Sequence, residues 1–440
     1  MHKIDLLLDA RWVISVDQDN NVLNQHSIAV DKGRIIDILP TSVAADRYLA
    51  KTHQQLGDKV LMPGLINCHT HAAMSLFKGY ADDLPLMDWL QHHIWPAESK
   101  WVDEDFVHDG TQLAMAEMLR SGTTCFMDMY FFPDVIAKAV NLSGMRAAVG
   151  MIVLDFPTIW AQTVDEYIEK GLHIRDEYRE HSRIKTVFAP HAPYTVSEPA
   201  LAQIRTLSDE MDVPVTMHIH ETQSEVDQAV ETNNKRPLES LHELGLISPN
   251  LIAVHMTALN DDEISMLAEN GTHITHCPES NLKLASGFCP VEKLMNAGVN
   301  ICLGTDGSAS NNDLDMFGEM RTAALLAKGV SGNASSASAE EVLRMATING
   351  AKALGMDDDI GSIEIGKAAD FIAVDFSSLE AQPVYNPVSH LVYNTSRDQV
   401  TDVWVKGRQL LKGRSLTRLD EQEIIRKARE WNDKISSEDA

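Results

Sequence analysis

The sequence predicts an α/β fold, a parallel (β/α)8 barrel of the TIM type, with a small β-sandwich built from both chain ends. Three observations predict it. Eight short apolar runs alternate with amphipathic stretches through the middle of the chain. Strand-like segments with tight turns occupy both ends. Histidines close several of the apolar runs, one after another. Strand and helix alternating eight times implies a parallel barrel, and barrel enzymes carry their reactive groups at the C-terminal ends of the strands.

Residues 1–60 read as strands at 5–8, 12–16, 27–30 and 34–39, with Asp31-Lys32-Gly33 turning the last pair. Too few strands are present here to bury two faces. Near Gly355 the chain returns to strands at 371–374 and 402–405, which are expected to complete the N-terminal set. The expected division is 1–60 and 357–440 for the sandwich and 61–356 for the barrel. A charged amphipathic helix is expected at 420–435, and the Ser/Gly/Ala stretch 331–338 reads as a surface loop.

The barrel strands are expected at 60–66, 123–129, 146–154, 185–189, 213–220, 251–255, 272–276 and 300–305. Between them, 103–121 reads as a helix stopped by Gly122. The long segment 72–100 after the first strand reads as a lid, with Trp89, His92, His93, Trp95 and Glu98 in it.

Composition sets limits on the ligand. Lys plus Arg number 37 against 64 Asp plus Glu, a formal charge of -27. That field repels phosphate backbones and anionic membrane surfaces, so the expected partner is a small neutral or cationic molecule. No apolar stretch approaches the length of a membrane span, and the N-terminus, broken by Asp5, Asp9 and Arg11, makes a poor signal peptide. The five cysteines show no Cys-x-x-Cys pair and read as buried free thiols of a cytoplasmic protein. A homo-oligomer is compatible with all of this.

The strand ends carry the chemistry. In Asn67-Cys68-His69-Thr70-His71 the two histidines point the same way, because alternate side chains of a strand share a face. Paired neutral imidazoles suit a borderline divalent metal such as zinc. Taken alone, His-x-His is as readily one core and one surface histidine. The later ends add His191, His218, His255, His276 and Asp306, and six histidines with one aspartate in strand-end order favour a site. His218 and His220 share a face, so spacing leaves either as a ligand. His-x-x-Glu favours His218, with Glu221 reaching back over the pocket, although a carboxylate at a helix start is common. His255 is otherwise a buried hydrogen-bonded imidazole, Asp306 otherwise a helix cap, and His276 is given a supporting role.

Pro63 to His71, His218 with Glu221, His255, the string His276-Cys277-Pro278-Glu279-Ser280-Asn281 and the string Gly304 to Asn312 together resemble the amidohydrolase superfamily, in its cytosine/adenine deaminase and chlorohydrolase branch. The resemblance covers nearly the whole chain. It implies one divalent metal, zinc or alternatively iron, held by His69, His71, His218 and Asp306. Relatives with two metals use a strand-four lysine, whereas here Lys185 stands six residues before His191, which favours one. It also implies that His255 and Asp306 take the proton of an attacking water and that Glu221 donates to the ring nitrogen beside the reacting carbon. Trp89, Glu98 and His191 are implied to bind the substrate, with Glu98 on the ribose hydroxyls. Trp95 is expected to be core packing. The implied reaction replaces the C6 amino group of adenine in 5′-methylthioadenosine, S-adenosylhomocysteine or adenosine. Guanine deamination or triazine hydrolysis is the alternative, and a non-catalytic barrel the remote one. Related enzymes place arginines after the third barrel strand, but no arginine occurs here between Arg146 and Arg175. The stretch holding Asp155, Phe156, Ile159 and Trp160 instead suits a methylthio group better than a carboxylate.

Overall fold

The computed structural model describes residues 1–438. Strands from both chain ends join in one nine-stranded mixed sheet. The N-terminal part supplies His2–Ile14, Val22–Asp31, Arg34–Pro40, Tyr48–Gln55 and Lys59–Pro63, and the C-terminal part Phe371–Asp375, Val400–Val405, Arg408–Lys412 and Ser415–Leu416. The ends meet where Phe371–Asp375 pairs antiparallel with Lys59–Pro63. Leu6, Leu8, Ile28, Val30, Leu61, Phe371 and Trp404, from five strands of this sheet, share one buried cluster. The sheet thus wraps a core of its own.

The expected pair of strands at 5–8 and 12–16 is a single strand. The charges that read as breaks are matched inside it. Asp9 accepts from Ser27 Oγ at 2.6 Å and contacts His53 Nε2 at 2.7 Å, and Arg11 pairs with Asp58 at 2.6 Å. The Asp31-Lys32-Gly33 turn forms with positive φ at Lys32 and Gly33, the geometry whose twist matches a hairpin. A Cβ on Gly33 would lie 2.7 Å from the Lys406 carbonyl oxygen.

The apolar run 60–66, read as one barrel strand, is two strands in two sheets. Lys59–Pro63 belongs to the mixed sheet and Leu65–Thr70 opens the barrel. Gly64 is the crossing point, and no side chain fits there, since a Cβ would fall 2.1 Å from Thr124 Oγ1. Seven further parallel strands follow, at Thr123–Asp128, Arg146–Val153, Ile184–Pro190, Val215–Ile219, Leu251–His255, His273–His276 and Asn300–Leu303. Nearly every residue in them is buried, which is why they read as continuous apolar runs. Where the last strand returns to the first, Asn67 bridges the seam. Its Nδ2 donates to Thr305 Oγ1 at 2.7 Å and its Oδ1 accepts from Thr305 N at 3.0 Å.

Helix Glu104–Arg120 starts on Asp103, whose carboxylate accepts from Phe106 N, and stops at Gly122 in left-handed backbone. The C-terminal helix Glu421–Glu438 packs Trp431 edge-on against Phe106, and Trp431 Nε1 donates to Asp109 at 3.0 Å. The segment expected as a lid folds into short turns and helices at Ala72–Phe77, Leu86–Trp89, Leu90–Ile94 and Trp95–Trp101. Among the described residues no helix is long and apolar enough to cross a membrane.

Candidate active site

His69 and His71 leave the first barrel strand on one face, as the alternation requires. Their ring centroids are 4.8 Å apart. His218 comes from the fifth strand, its Nε2 2.9 Å from His69 Nε2. Asp306 follows the eighth strand in left-handed backbone, held there by its own N–H donating to the His69 carbonyl at 3.0 Å. Its Oδ1 lies 3.4 Å from His69 Nε2 and 3.2 Å from His71 Nε2. One donor atom from each of the four lies within 4.8 Å of all the others.

Surrounding groups fix how these donors point. His71 Nδ1 donates to the Met129 carbonyl at 2.6 Å and His218 Nδ1 to the His191 carbonyl at 2.8 Å, so both turn Nε2 to the centre. Asp306 Oδ2 is taken by the hydroxyls of Ser280 at 2.7 Å and Ser310 at 2.8 Å, which leaves Oδ1 to face the histidines. Three ring nitrogens and a carboxylate oxygen therefore face one another across a buried space, an arrangement that calls for a positive charge, a proton or a metal ion. Burial disfavours a charged His71, yet the Asp306 carboxylate outweighs it and brings its pKa up to about 9, whereas His69, dominated by burial, falls to about 4. Three imidazoles and one carboxylate are a donor set that fits zinc or a similar divalent ion.

His220, the other histidine spacing allowed as ligand, turns away. It sits in left-handed backbone with Nδ1 3.9 Å from Glu263. His255 Nδ1 pairs with Asn281 Oδ1 at 2.8 Å, and its Nε2 faces Glu221 Oε2 at 3.7 Å. Glu221 accepts from Ser286 Oγ at 3.2 Å, and burial, reinforced by the Asp306 charge, raises its pKa. Glu225 anchors that turn from the next helix: its two carboxylate oxygens accept the backbone N–H groups of His220 at 3.1 Å and Glu221 at 2.8 Å.

One cavity is lined by His71, His218, Glu221, His255 and Asp306 at its floor and by Trp89, Glu98 and His191 on its walls. His69 lies fully buried beneath them. Trp89 is spoken for at its edge, Nε1 donating to the Ala81 carbonyl at 3.1 Å, so it offers the cavity an apolar surface. His191 Nδ1 pairs with Thr195 Oγ1 at 2.9 Å, and burial lowers its pKa to about 3, so the ring stays neutral. Burial brings Glu98 up to about 7.

Two expectations change. Trp95, expected in the core, is half-buried and lines the cavity. Trp160 packs on Tyr167 away from it, leaving Phe156 and Ile159 as the apolar wall. His276 does not line the cavity: it is fully buried, and neither ring nitrogen has a partner among the described residues. Residues with no role read from sequence are Ser280, Ser310, Asn281, Ser286 and Glu225, which orient the groups above, and Tyr130. Ser280, Asn281 and Ser310 lie in the strings quoted above. Glu225 stands three residues after Thr222, whose hydroxyl accepts from its backbone N–H at 3.2 Å, but that capping pattern does not foretell where its carboxylate goes.

Residues 60–410 match the amidohydrolase family. The chain is 50% identical over 434 residues to the 5-methylthioadenosine/S-adenosylhomocysteine deaminase of Teredinibacter turnerae, covering 99% of this chain and 98% of that protein. It is 41% identical over 436 residues to the 5'-deoxyadenosine deaminase of Methanosarcina barkeri, covering 96% of each. A crystal structure of an adenosine deaminase from Xanthomonas campestris with bound zinc superposes with a TM-score of 0.98 at 50% identity, covering 99% of both chains. With a family match across most of its length and relatives of this identity, the chain belongs to the amidohydrolase family.

Proposed function

We propose that this protein hydrolytically removes the C6 amino group of adenine from 5′-methylthioadenosine and related 5′-substituted adenosines, giving the inosine analogue and ammonia. The observation that carries the reading is a buried carboxyl group, Glu221, facing His255 beside three imidazoles and a carboxylate at the floor of a cavity walled by Trp89, Glu98 and His191. Relatives named for deaminating adenosines, at 41% and 50% identity, support the substrate class.

His69, His71, His218 and Asp306 are the residues that would hold one divalent ion, for which we propose zinc. When bound, the ion would supply Lewis acidity, bringing the pKa of water toward neutrality. The chain's own groups then move the protons. His255 Nε2 and Asp306 take the proton of the water attacking C6. Glu221 gives a proton to the ring nitrogen beside C6, so the ring accepts the electron pair as the new C–O bond forms. The oxygen lone pair then closes the C6 carbonyl as the C6–N bond breaks: the proton first taken from water passes to the amino group, which leaves as ammonia, and the C6 hydroxyl proton returns to Glu221. Trp89 offers the purine an apolar face, and Glu98 accepts from sugar hydroxyls. The five cysteines are all buried and unpaired, which supports a cytoplasmic site of action.

Purified protein is expected to carry about one divalent ion per chain. Elemental analysis checks it. Two equivalents, with a carboxylated lysine in the mass spectrum, would overturn the mononuclear assignment.

The cavity wall also sets a preference at the 5′ end. Phe156 and Ile159 line it, and no lysine or arginine does among the described residues. A carboxylate against that wall gains no cationic donor, but Phe156 and Ile159 are 44% and 62% exposed, so it keeps part of its water and the deficit falls below the about 1.5–3 kcal/mol of a charge-assisted hydrogen bond lost on full burial. The kcat/KM for 5′-methylthioadenosine is therefore expected to exceed that for S-adenosylhomocysteine by up to roughly 10-fold, with adenosine also turned over. Steady-state kinetics on a panel with guanine and cytosine added tests both statements. Equal or better efficiency on S-adenosylhomocysteine refutes the apolar wall, and ammonia only from guanine or cytosine refutes the substrate class.

A further inference from the structure

We propose that Tyr130 is a substrate-binding residue, its phenol hydroxyl donating a hydrogen bond to a sugar hydroxyl that in turn donates to Glu98. The inference rests on the proposed function, since it needs a nucleoside in the cavity.

Tyr130 lies two residues past the second barrel strand, next to Met129, whose carbonyl orients His71. Its ring is locked from two sides, with centroid distances of 6.4 Å to His71 and 5.2 Å to Phe131. The residue is 4% exposed. Its hydroxyl has no hydrogen-bond partner within 3.5 Å among the described residues. A buried phenol normally finds one, and leaving it without costs about 1–3 kcal/mol. Other buried polar atoms lack partners too, but among the described residues only Tyr130 combines that with a place in the wall of the substrate cavity. The missing partner is therefore sought in what enters the cavity.

Glu98 lines the same wall; burial brings its carboxyl up to about 7, and the neighbouring Tyr130 hydroxyl works against that in favour of the ionised form. An ionised carboxylate only accepts and a phenol in this position is free to donate. A sugar hydroxyl does both at once, so it satisfies the two groups together, which neither an amine nor an ether oxygen does. Phe131 and His71 hold the ring, so little side-chain entropy is lost when the bond forms.

The test compares wild type with Tyr130→Phe and Glu98→Gln, all metal-loaded, on 5′-methylthioadenosine and its 2′-deoxy and 3′-deoxy analogues. Tyr130→Phe removes one oxygen, and metal content with thermal melting verifies the fold. On the parent nucleoside its kcat/KM falls about 10-fold, mostly through KM, the worth of one hydrogen bond. On one deoxy analogue, the one lacking the hydroxyl that Tyr130 reads, the variant matches wild type within about twofold. Wild type itself discriminates against that analogue by roughly 10²-fold or more, because both Glu98 and Tyr130 are then stranded, and this holds whether or not the variant folds. An equal loss on all three nucleosides, or no loss on any, overturns the role of Tyr130. Indifference of both wild type and Glu98→Gln to the sugar hydroxyls overturns it too, by removing the hydroxyl subsite, while deamination stands. Absence of ammonia from the parent with wild type overturns the proposed function, and this inference with it.

Discussion

Glu221→Gln lowers kcat by roughly 10²–10⁴-fold, the usual worth of a positioned general acid or base, while the bound metal stays at the wild-type level. The substitution is isosteric. The amide oxygen of the replacement still accepts from Ser286 Oγ, and the backbone N–H at this position remains tied to Glu225, so the side chain keeps its place. What the amide lacks is a proton to give to the ring nitrogen beside C6. Burial makes Glu221 suited to that task. Withdrawal from water raises its pKa, the Asp306 charge adds to the effect, and the His255 ring opposes it, so more of the acid form is present near neutral pH. Kinetics on 5′-methylthioadenosine alongside elemental analysis decides the matter. If metal and activity vanish together, Glu221 is a ligand and not a proton carrier.

Asp306→Asn gives the contrasting result. Turnover falls by at least the roughly 10²–10⁴-fold expected of an acid–base group, and metal content falls with it. Ser280 and Ser310 both donate to Oδ2. An asparagine can keep its oxygen toward the serines, and its Nδ2 hydrogens then point at His69 and His71, replacing an anionic donor with an N–H. Turned the other way, it leaves two buried hydroxyls facing an NH2 group. Either arrangement weakens the hold on a divalent ion. Metal per chain after dialysis, and activity with excess metal added back, measure the effect. One ion retained per chain with turnover within about tenfold of wild type would remove Asp306 from both roles.

The barrel and the shared face of His69 and His71 were legible because their signals are local. Fully buried parallel strands read as continuous apolar runs, and His69 and His71 share a face by strand alternation alone. The choice between His218 and His220 was not local. It depends on the chain turning to left-handed backbone at His220, pinned by Glu225, whose reach to two backbone N–H groups upstream no spacing rule reveals. The strand Tyr48–Gln55 was missed because it pairs with only one neighbour and most of it is exposed, so its Lys51-Thr52-His53-Gln54-Gln55 stretch has no apolar alternation. Gly64 looked like an interruption in one strand, whereas close packing on Thr124 makes it the junction of two sheets. The facing of Trp95 and Trp160 depends on contacts with elements distant in the chain, and so does the lack of a partner for Tyr130. Each is a property of the assembled barrel and not of a segment.

Metal-dependent loss of the adenine amino group is tested most directly by incubating 5′-methylthioadenosine with protein stripped of metal and with the same protein reloaded with zinc. Ammonia and the mass of the product are followed in both. Stoichiometric ammonia and the 5′-methylthioinosine mass are expected from the reloaded protein, and neither from the stripped one. Ammonia at the same rate from both preparations, or an unchanged nucleoside with a fully loaded site, would contradict the proposed function.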